Sequence, residues 1–335
     1  MIYKKANAVR CLPAAALTGL LAITGCSSTN PVSDQEPIPP QALQAGYLTR
    51  TYGPYPTLDS GKAAQADAAL LYVPVFLGHA TLASESVQNT DGSVTIFGGV
   101  GDHTNGQVAS ATSAANSAGF TGVAFGGGAY FEATLKFDGW QGAAADPNAT
   151  STGWPAFWSL SLEHLLNNGA DQWPGQVRGF QHFGEIDFLE YNIAFDEKTD
   201  EVYSGSIHEF YGYPNQTCAP AMFCDVQNSY SSKILKVPGN TDFSAYHTYG
   251  MLWVPATESE DGFIQWYFDA APIGHPVTWA QFTQQPPSLT AADMDFGIVD
   301  LQHLVVILGT GVRYPMTVSA VSVWQKSSAS NLVVH

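Results

Sequence analysis

Residues 184–192 read GEIDFLEYN, a stretch that carries three carboxylates, Glu185, Asp187 and Glu190, among strand-forming neighbours. Successive side chains of a strand point to opposite faces, so Glu185 and Asp187 share one face. Glu190, an odd number of positions from both, points the other way. The apolar residues carry the same fault, because Phe188 and Leu189 are adjacent where strict alternation allows one. One extra residue at Phe188–Leu189, a β-bulge, cures both faults and returns Glu190 to the face of the other two acids. The two glutamates then stand as if four strand positions apart, roughly 13 Å between Cα atoms.

Side chains leaning toward each other would bring the two glutamate carboxyls to about 5–6 Å, near the spacing at which one carboxyl can attack a sugar carbon while its partner serves as acid and base. Three carboxylates on one face do not all ionise cheaply, so at least one pKa should rise. A raised carboxyl can protonate a leaving oxygen near neutral pH while an ionised neighbour acts as nucleophile. A solvated polar strand face is the other reading of the same residues, and the short stretch alone leaves both open.

The elements that must position these acids are legible as strands. In YFEATLKFD, Phe131, Ala133, Leu135 and Phe137 alternate with Glu132, Thr134 and Lys136. In GFIQWYFD, Ile264, Trp266 and Phe268 alternate with Gln265, Tyr267 and Asp269. Further strands are expected at 94–99, 154–162, 202–210, 247–255, 303–309 and 316–325, with turn signals such as TDG, PNQ, PGN and EDG between them. SLEHLLNN (161–168) reads as a short helix. The 335 residues include 32 Gly, 20 Pro, 8 Trp and 15 Tyr, with 45% hydrophobic and only 12% charged residues. That balance suits a turn-rich, all-β exported protein with a sizeable core. Many strands, few helices and no internal repeat predict an all-β sandwich, one domain over residues 46–326 with a tail at 327–335.

The N-terminus reads as a targeting segment. Lys4, Lys5 and Arg10 precede the apolar run LPAAALTGLLAI, which is too short for a stable membrane span and fits a signal peptide over residues 1–25. Its end, Ile23-Thr24-Gly25-Cys26, resembles the lipobox of bacterial lipoproteins, with Cys26 as the lipidated residue. An ordinary signal peptide with an incidental cysteine is the alternative. Residues 26–45 read as a disordered tether. These features predict export to a bacterial outer membrane or cell surface, or secretion, with membrane contact through the lipid anchor alone. Loss of three basic residues with the signal takes the formal charge from −17 to −20, which argues against nucleic acid as a partner and more weakly against heavily sulfated glycans. Cys218 and Cys224 in TCAPAMFCD can pair with each other as a disulfide in an exported protein or stand as free thiols; a zinc site would need further ligands that the neighbourhood lacks.

Several stretches, in order, resemble glycoside hydrolase family 16. GEIDFLE fits that family's E-x-D-x-x-E signature in the bulged variant, and GWPAFWSL (153–160) resembles its Trp-Pro-Ala-Phe-Trp strand. GGGAYFEATLKF (126–137) resembles its Tyr-Gly-x-x-Glu-Ala-Arg strand, with Thr134 where arginine is usual. HTYGMLWVP with IQWYFDAAPI, and finally MTVSAVSVWQ, follow in the family's order, so the likeness covers about residues 90–326.

The resemblance implies a concanavalin A-like β-jelly-roll sandwich of two curved antiparallel sheets and a retaining, endo-acting reaction on β-glucans or galactans. It implies Glu185 as nucleophile, Glu190 as acid/base and Asp187 as the assisting acid between them. Trp154 and Trp158 fit either sugar platforms or core residues of a strand. His208 in GSIHEF fits a groove role or a structural one, as do His247 and Trp253 with weaker support. Val318-Ser319-Ala320 stands where calcium-binding members carry an acid, so no metal and no organic cofactor are expected. The stretch from Ser159 to Gly184 is longer than the family's usual link and is expected to form a groove wall. The expected protein is a monomer hydrolysing a neutral β-1,3- or mixed-linkage glucan, with agarose-type galactans second; a transglycosylase and a non-catalytic glycan binder are the alternatives.

Overall fold

The structure, a computed structural model, describes residues 37–61, 67–77, 86–97, 106–137, 154–166, 181–191, 202–212, 226–278, 298–310 and 315–335, with the backbone alone at 211–212 and 226–233. In chain order its strands are β1 Thr49–Tyr52, β2 Tyr55–Leu58, β3 Ala68–Leu71, β4 Ser86–Gln88, β5 Val94–Ile96, β6 Gly106–Ala109, β7 Ala111–Ser113, β8 Phe120–Ala124, β9 Ala129–Phe137 and β10 Ala156–Ser161. They continue with β11 Gln181–Glu190, β12 Val202–Gly212, β13 Val226–Lys236, β14 His247–Val254, β15 Phe263–Phe268, β16 Ala271–Thr278, β17 Leu304–Thr310, β18 Met316–Gln325 and β19 Leu332–Val334.

Two antiparallel sheets form the sandwich. One runs β16-β15-β14-β9-β18-β5-β4, with β1 also on β18; the other runs β13-β12-β11-β10-β17-β6. Strands distant in sequence lie side by side, as a jelly roll requires, and the expected fold class is the observed one. The alternation in β9 does what its pattern dictates: Phe131, Ala133, Leu135 and Phe137 are buried while Glu132, Thr134 and Lys136 are only partly so. In β15, Ile264, Trp266 and Phe268 turn inward. Gln265, expected on the polar face, is also buried, because its amide donates to the carbonyls of Ile273 and Trp266, each at 2.8 Å. Between the sheets these residues meet Phe157, Ile186, Phe188, Tyr203, Ile207, Val306 and Leu308 of the second sheet.

The ordered fold passes both expected boundaries. Residues Pro40–Gln44, assigned to the tether, form a helical turn with Ala42 fully buried. Ala42 joins Tyr47, Tyr130, Leu252 and Trp324 in a cluster on the outer face of the first sheet, because aromatic side chains there need an apolar cover. At the other end, residues 327–335 are no free tail. Ser327 Oγ accepts from the amide of Ala329 at 3.1 Å, and β19 pairs with β8 through Leu332 and Ala124. The expected short helix is present as Leu162–Leu166. Residues 1–36 lie outside the described residues, as do Cys218 and Cys224 and with them the disulfide expectation. Among the described residues, no helix is long and apolar enough to cross a membrane.

Candidate active site

Strand β11 carries the three acids, and its two faces are set by what they meet. Ile186, Phe188 and Leu189 belong to the inter-sheet core, whereas Phe183 belongs to an apolar cluster on the opposite, outer face with Leu160, Val305 and Ile307. Asp187 lies opposite Ser206 of β12 and Glu190 opposite Ser204, so three steps on β11 span two on β12. The same slip appears against β10, where Phe157 pairs with Leu189 and Trp158 with Asp187. The bulge therefore sits at Phe188–Leu189, and its cause is burial. Both side chains are fully buried, with the Phe188 ring stacked on Phe131 at 5.1 Å and edge-on to Phe157 at 4.6 Å. Alternation cannot place two neighbours in one core, so the backbone takes up the extra residue and Glu190 joins Glu185 and Asp187 on the outer face.

The acids interact across that face. Asp187 is 3% exposed and shares a side-chain hydrogen bond with Glu190. Glu185 lies opposite His208 in the register, and His208 Nε2 stands 3.4 Å from Asp187 Oδ2. The indole Nε1 of Trp154 donates to Glu190 Oε1 at 2.9 Å. Trp154 holds this position with a φ of 42°, in the left-handed region that non-glycine residues seldom adopt. Burial pushes the Glu185 carboxyl up to about 8, with the charges of Asp187 and then Glu190 adding to the rise and that of His208 opposing it. Burial likewise holds the Asp187 carboxyl well above the ordinary carboxylate range, reinforced by the charge of Glu190 and by their hydrogen bond. Glu185 thus retains its proton at neutral pH, chiefly because it is buried and secondly because the neighbouring acids crowd it.

The strand is fixed from behind. Trp266 Nε1 donates to the Asp187 carbonyl at 2.9 Å. Gly205 leaves room for that indole, since a Cβ there would stand 2.4 Å from Trp266 Nε1. Gln302, 1% exposed, accepts from the Gly184 amide at 3.2 Å and donates to the His182 carbonyl at 2.9 Å, tying the backbone just before Glu185. Gln302 carries no motif, and nothing in its local sequence announces this role. Trp266 reads from the sequence as an inward strand residue, which it is, without showing which carbonyl its N–H would meet.

The other sequence-derived candidates divide. Trp154 and His208 come to the acids. Trp158 lies on the same face opposite Asp187 but is partly buried against the outer apolar cluster, so packing takes up much of its ring. His247 and Trp253 sit in the other sheet and serve the fold. His247 is held between the Asp269 carboxylate at 2.8 Å and the Asp242 carbonyl at 3.1 Å, and Trp253 is fully buried with its N–H on Asp300 at 2.7 Å. Of the 159–184 stretch, the helix Leu162–Leu166 packs on the outer face with Phe183: His164 stacks on Phe183 at 3.5 Å, and Phe183 on Phe210 at 4.8 Å. Beyond Trp158 that face is closed, because Val305 and Ile307 are covered by a layer that includes Ala111, Phe120 and Ala124.

Fold and site together define a jelly-roll sandwich with a carboxylate trio on the outer face of one sheet. Among solved structures, the chain is similar to an endo-1,3-β-glucanase from Streptomyces sioyaensis, with 21% identity, coverage of 75% of this chain and 80% of that one, and a TM-score of 0.44. A structure of endo-acting O-glycanases from the human gut microbiota matches at 14% identity over 73% of this chain and 85% of that one, TM-score 0.40. A seed lectin from Lotus tetragonolobus matches at 9% identity over 75% and 92%, TM-score 0.33. No family model and no curated protein matches the sequence.

Proposed function

We propose that the protein is a retaining endo-glycosidase that hydrolyses internal β-linkages of a neutral polysaccharide, with a β-1,3- or mixed-linkage glucan first and an agarose-type galactan second. The observation that carries this reading is the bulge at Phe188–Leu189, which places Glu190 on the face of Glu185 and Asp187. Glu185 attacks the anomeric carbon and forms a glycosyl–enzyme ester. Glu190 gives its proton to the leaving oxygen and then takes one from the water that hydrolyses the ester. Asp187 shares with Glu190 a hydrogen bond that needs one proton between the two carboxyls. Attack requires the ionised form of Glu185, whose carboxyl burial raises to about 8, so cleavage should strengthen as the pH rises toward that value. Trp154 orients the Glu190 carboxyl through its indole N–H. Export and lipidation at Cys26 belong to the same proposal, and mass spectrometry of the native N-terminus tests them: an unmodified N-terminus elsewhere removes the lipid anchor.

The test of the reaction is reducing-end release across laminarin, lichenan, agarose, carrageenan and xyloglucan, comparing wild type with Glu185→Gln and Glu190→Gln. The first-formed anomer is followed by NMR. Cleavage with retention, lost in both variants, supports the reading. Products longer than the starting oligosaccharide indicate a transglycosylase. An inverted product, or glycan binding without cleavage that both variants share, overturns it.

A further inference from the structure

Two observations at the trio point to a ligand other than a sugar. Glu185, Asp187 and His208 each present one ligating atom, and these atoms all lie within 4.8 Å of one another. Asp187 Oδ2, on a side chain only 4% exposed, makes no hydrogen bond among the described residues and faces His208 Nε2 at 3.4 Å, an interval that a shared ion would bridge. A carboxylate oxygen so placed is unfavourable unless a proton or a cation reaches it. We propose that Glu185, Asp187 and His208 form a binding site for a divalent transition-metal ion of the zinc type.

The geometry suits such an ion. Ligands about 2.0–2.1 Å from a tetrahedral centre stand about 3.3–3.4 Å apart, and His208 Nε2 is already 3.4 Å from Asp187 Oδ2. The most distant pair, at most 4.8 Å apart, closes by about 1.4 Å, within reach of a glutamate side-chain rotation. One imidazole and two carboxylates make a donor set for zinc rather than for calcium or magnesium, which take six or more oxygens. Two carboxylates also balance the ion's charge. Support from behind is present, since Trp266 fixes the Asp187 carbonyl at 2.9 Å. The ion would occupy the carboxylates that the proposed reaction uses and so act as a reversible inhibitor; that consequence, unlike the binding itself, rests on the glycosidase reading.

The experiment is isothermal calorimetry of chelator-stripped full-length protein with zinc chloride and, separately, calcium chloride. It uses wild type, His208→Gln, Asp187→Asn and, as a control outside the cluster, His247→Gln. The expected result is one wild-type zinc site, weakened about 10- to 100-fold in the first two variants, unchanged in the control, with no calcium heat at that site. Equal zinc binding by wild type, His208→Gln and Asp187→Asn overturns the proposal, as does the absence of wild-type binding at submillimolar zinc. If the cluster variants fold poorly, the visible spectrum of wild type with cobalt decides. Tetrahedral ligand-field bands sustain the site, and the spectrum of free hydrated cobalt refutes it. Zinc binding is read without any glycan, so it stands or falls separately from cleavage.

Discussion

Replacing Glu185 by glutamine should stabilise the protein at alkaline pH and leave it nearly unchanged in acid. The folded protein raises the Glu185 carboxyl from 4.5 to about 8, so it holds that proton more tightly than the unfolded chain does. The sign follows from linkage: this contribution to stability is fully present below about 4.5 and is lost as the pH rises through about 8. A rise of about 3.5 pKa units, at about 1.36 kcal/mol each, sets a ceiling of about 5 kcal/mol on the loss. Glutamine has nearly the shape of the protonated acid and no proton to lose. The assay is urea unfolding of wild type and Glu185→Gln at pH 5, 6, 7, 8 and 9 with a chelator present. Other titrating groups common to both proteins largely cancel in the difference. The variant's advantage should grow by up to about 1.4 kcal/mol per pH unit between pH 5 and 8 and then level off. A difference that stays flat, or that widens toward acid, would refute the argument that burial keeps Glu185 protonated.

Three further outcomes follow from named contacts. Phe188→Ala removes a fully buried ring stacked on Phe131 and edge-on to Phe157 and should destabilise by about 3–5 kcal/mol in denaturant unfolding; a loss under about 1 kcal/mol would deny the bulge its apolar anchor. Gly205→Ala places a Cβ against Trp266 Nε1 and should destabilise by about 1–3 kcal/mol, lowering glycan cleavage even at temperatures where the variant remains folded; wild-type stability and activity would show that the indole moves without consequence. Trp154→Phe keeps a ring but removes the N–H to Glu190 Oε1. It should lower kcat roughly tenfold, as the loss of about 1.4 kcal/mol of orienting hydrogen bond implies, with KM changed less. A change confined to KM would make Trp154 a sugar contact instead.

How far the sequence reaches is plain from particular residues. The bulge was legible because it answers a local conflict, two adjacent large apolar residues and a carboxylate out of step. The alternation of β9 was legible for the same reason, since a strand's two faces are written at a spacing of two. Contacts between distant segments left no such mark. Gln302 reaches the His182 carbonyl from 120 positions away, and Trp266 reaches Asp187 from 79. From sequence, the helical turn at Pro40–Gln44 and strand β19 read as tether and tail because short polar-flanked segments carry little periodicity. Their order comes from the surfaces they cover, the outer aromatic cluster in one case and the exposed edge of β8 in the other.

The sequence by itself determined the strand faces, the position of the bulge and the grouping of Glu185, Asp187 and Glu190 on one side of β11, because these depend on neighbours within a few residues. Tertiary structure alone decided the rest. It drew Trp154 and His208 to the acids and sent His247 and Trp253 to structural duties in the other sheet. It also raised the Glu185 carboxyl to about 8, since a carboxyl's affinity for its proton depends on the solvent and charge around it, and both are set by parts of the chain far away in sequence.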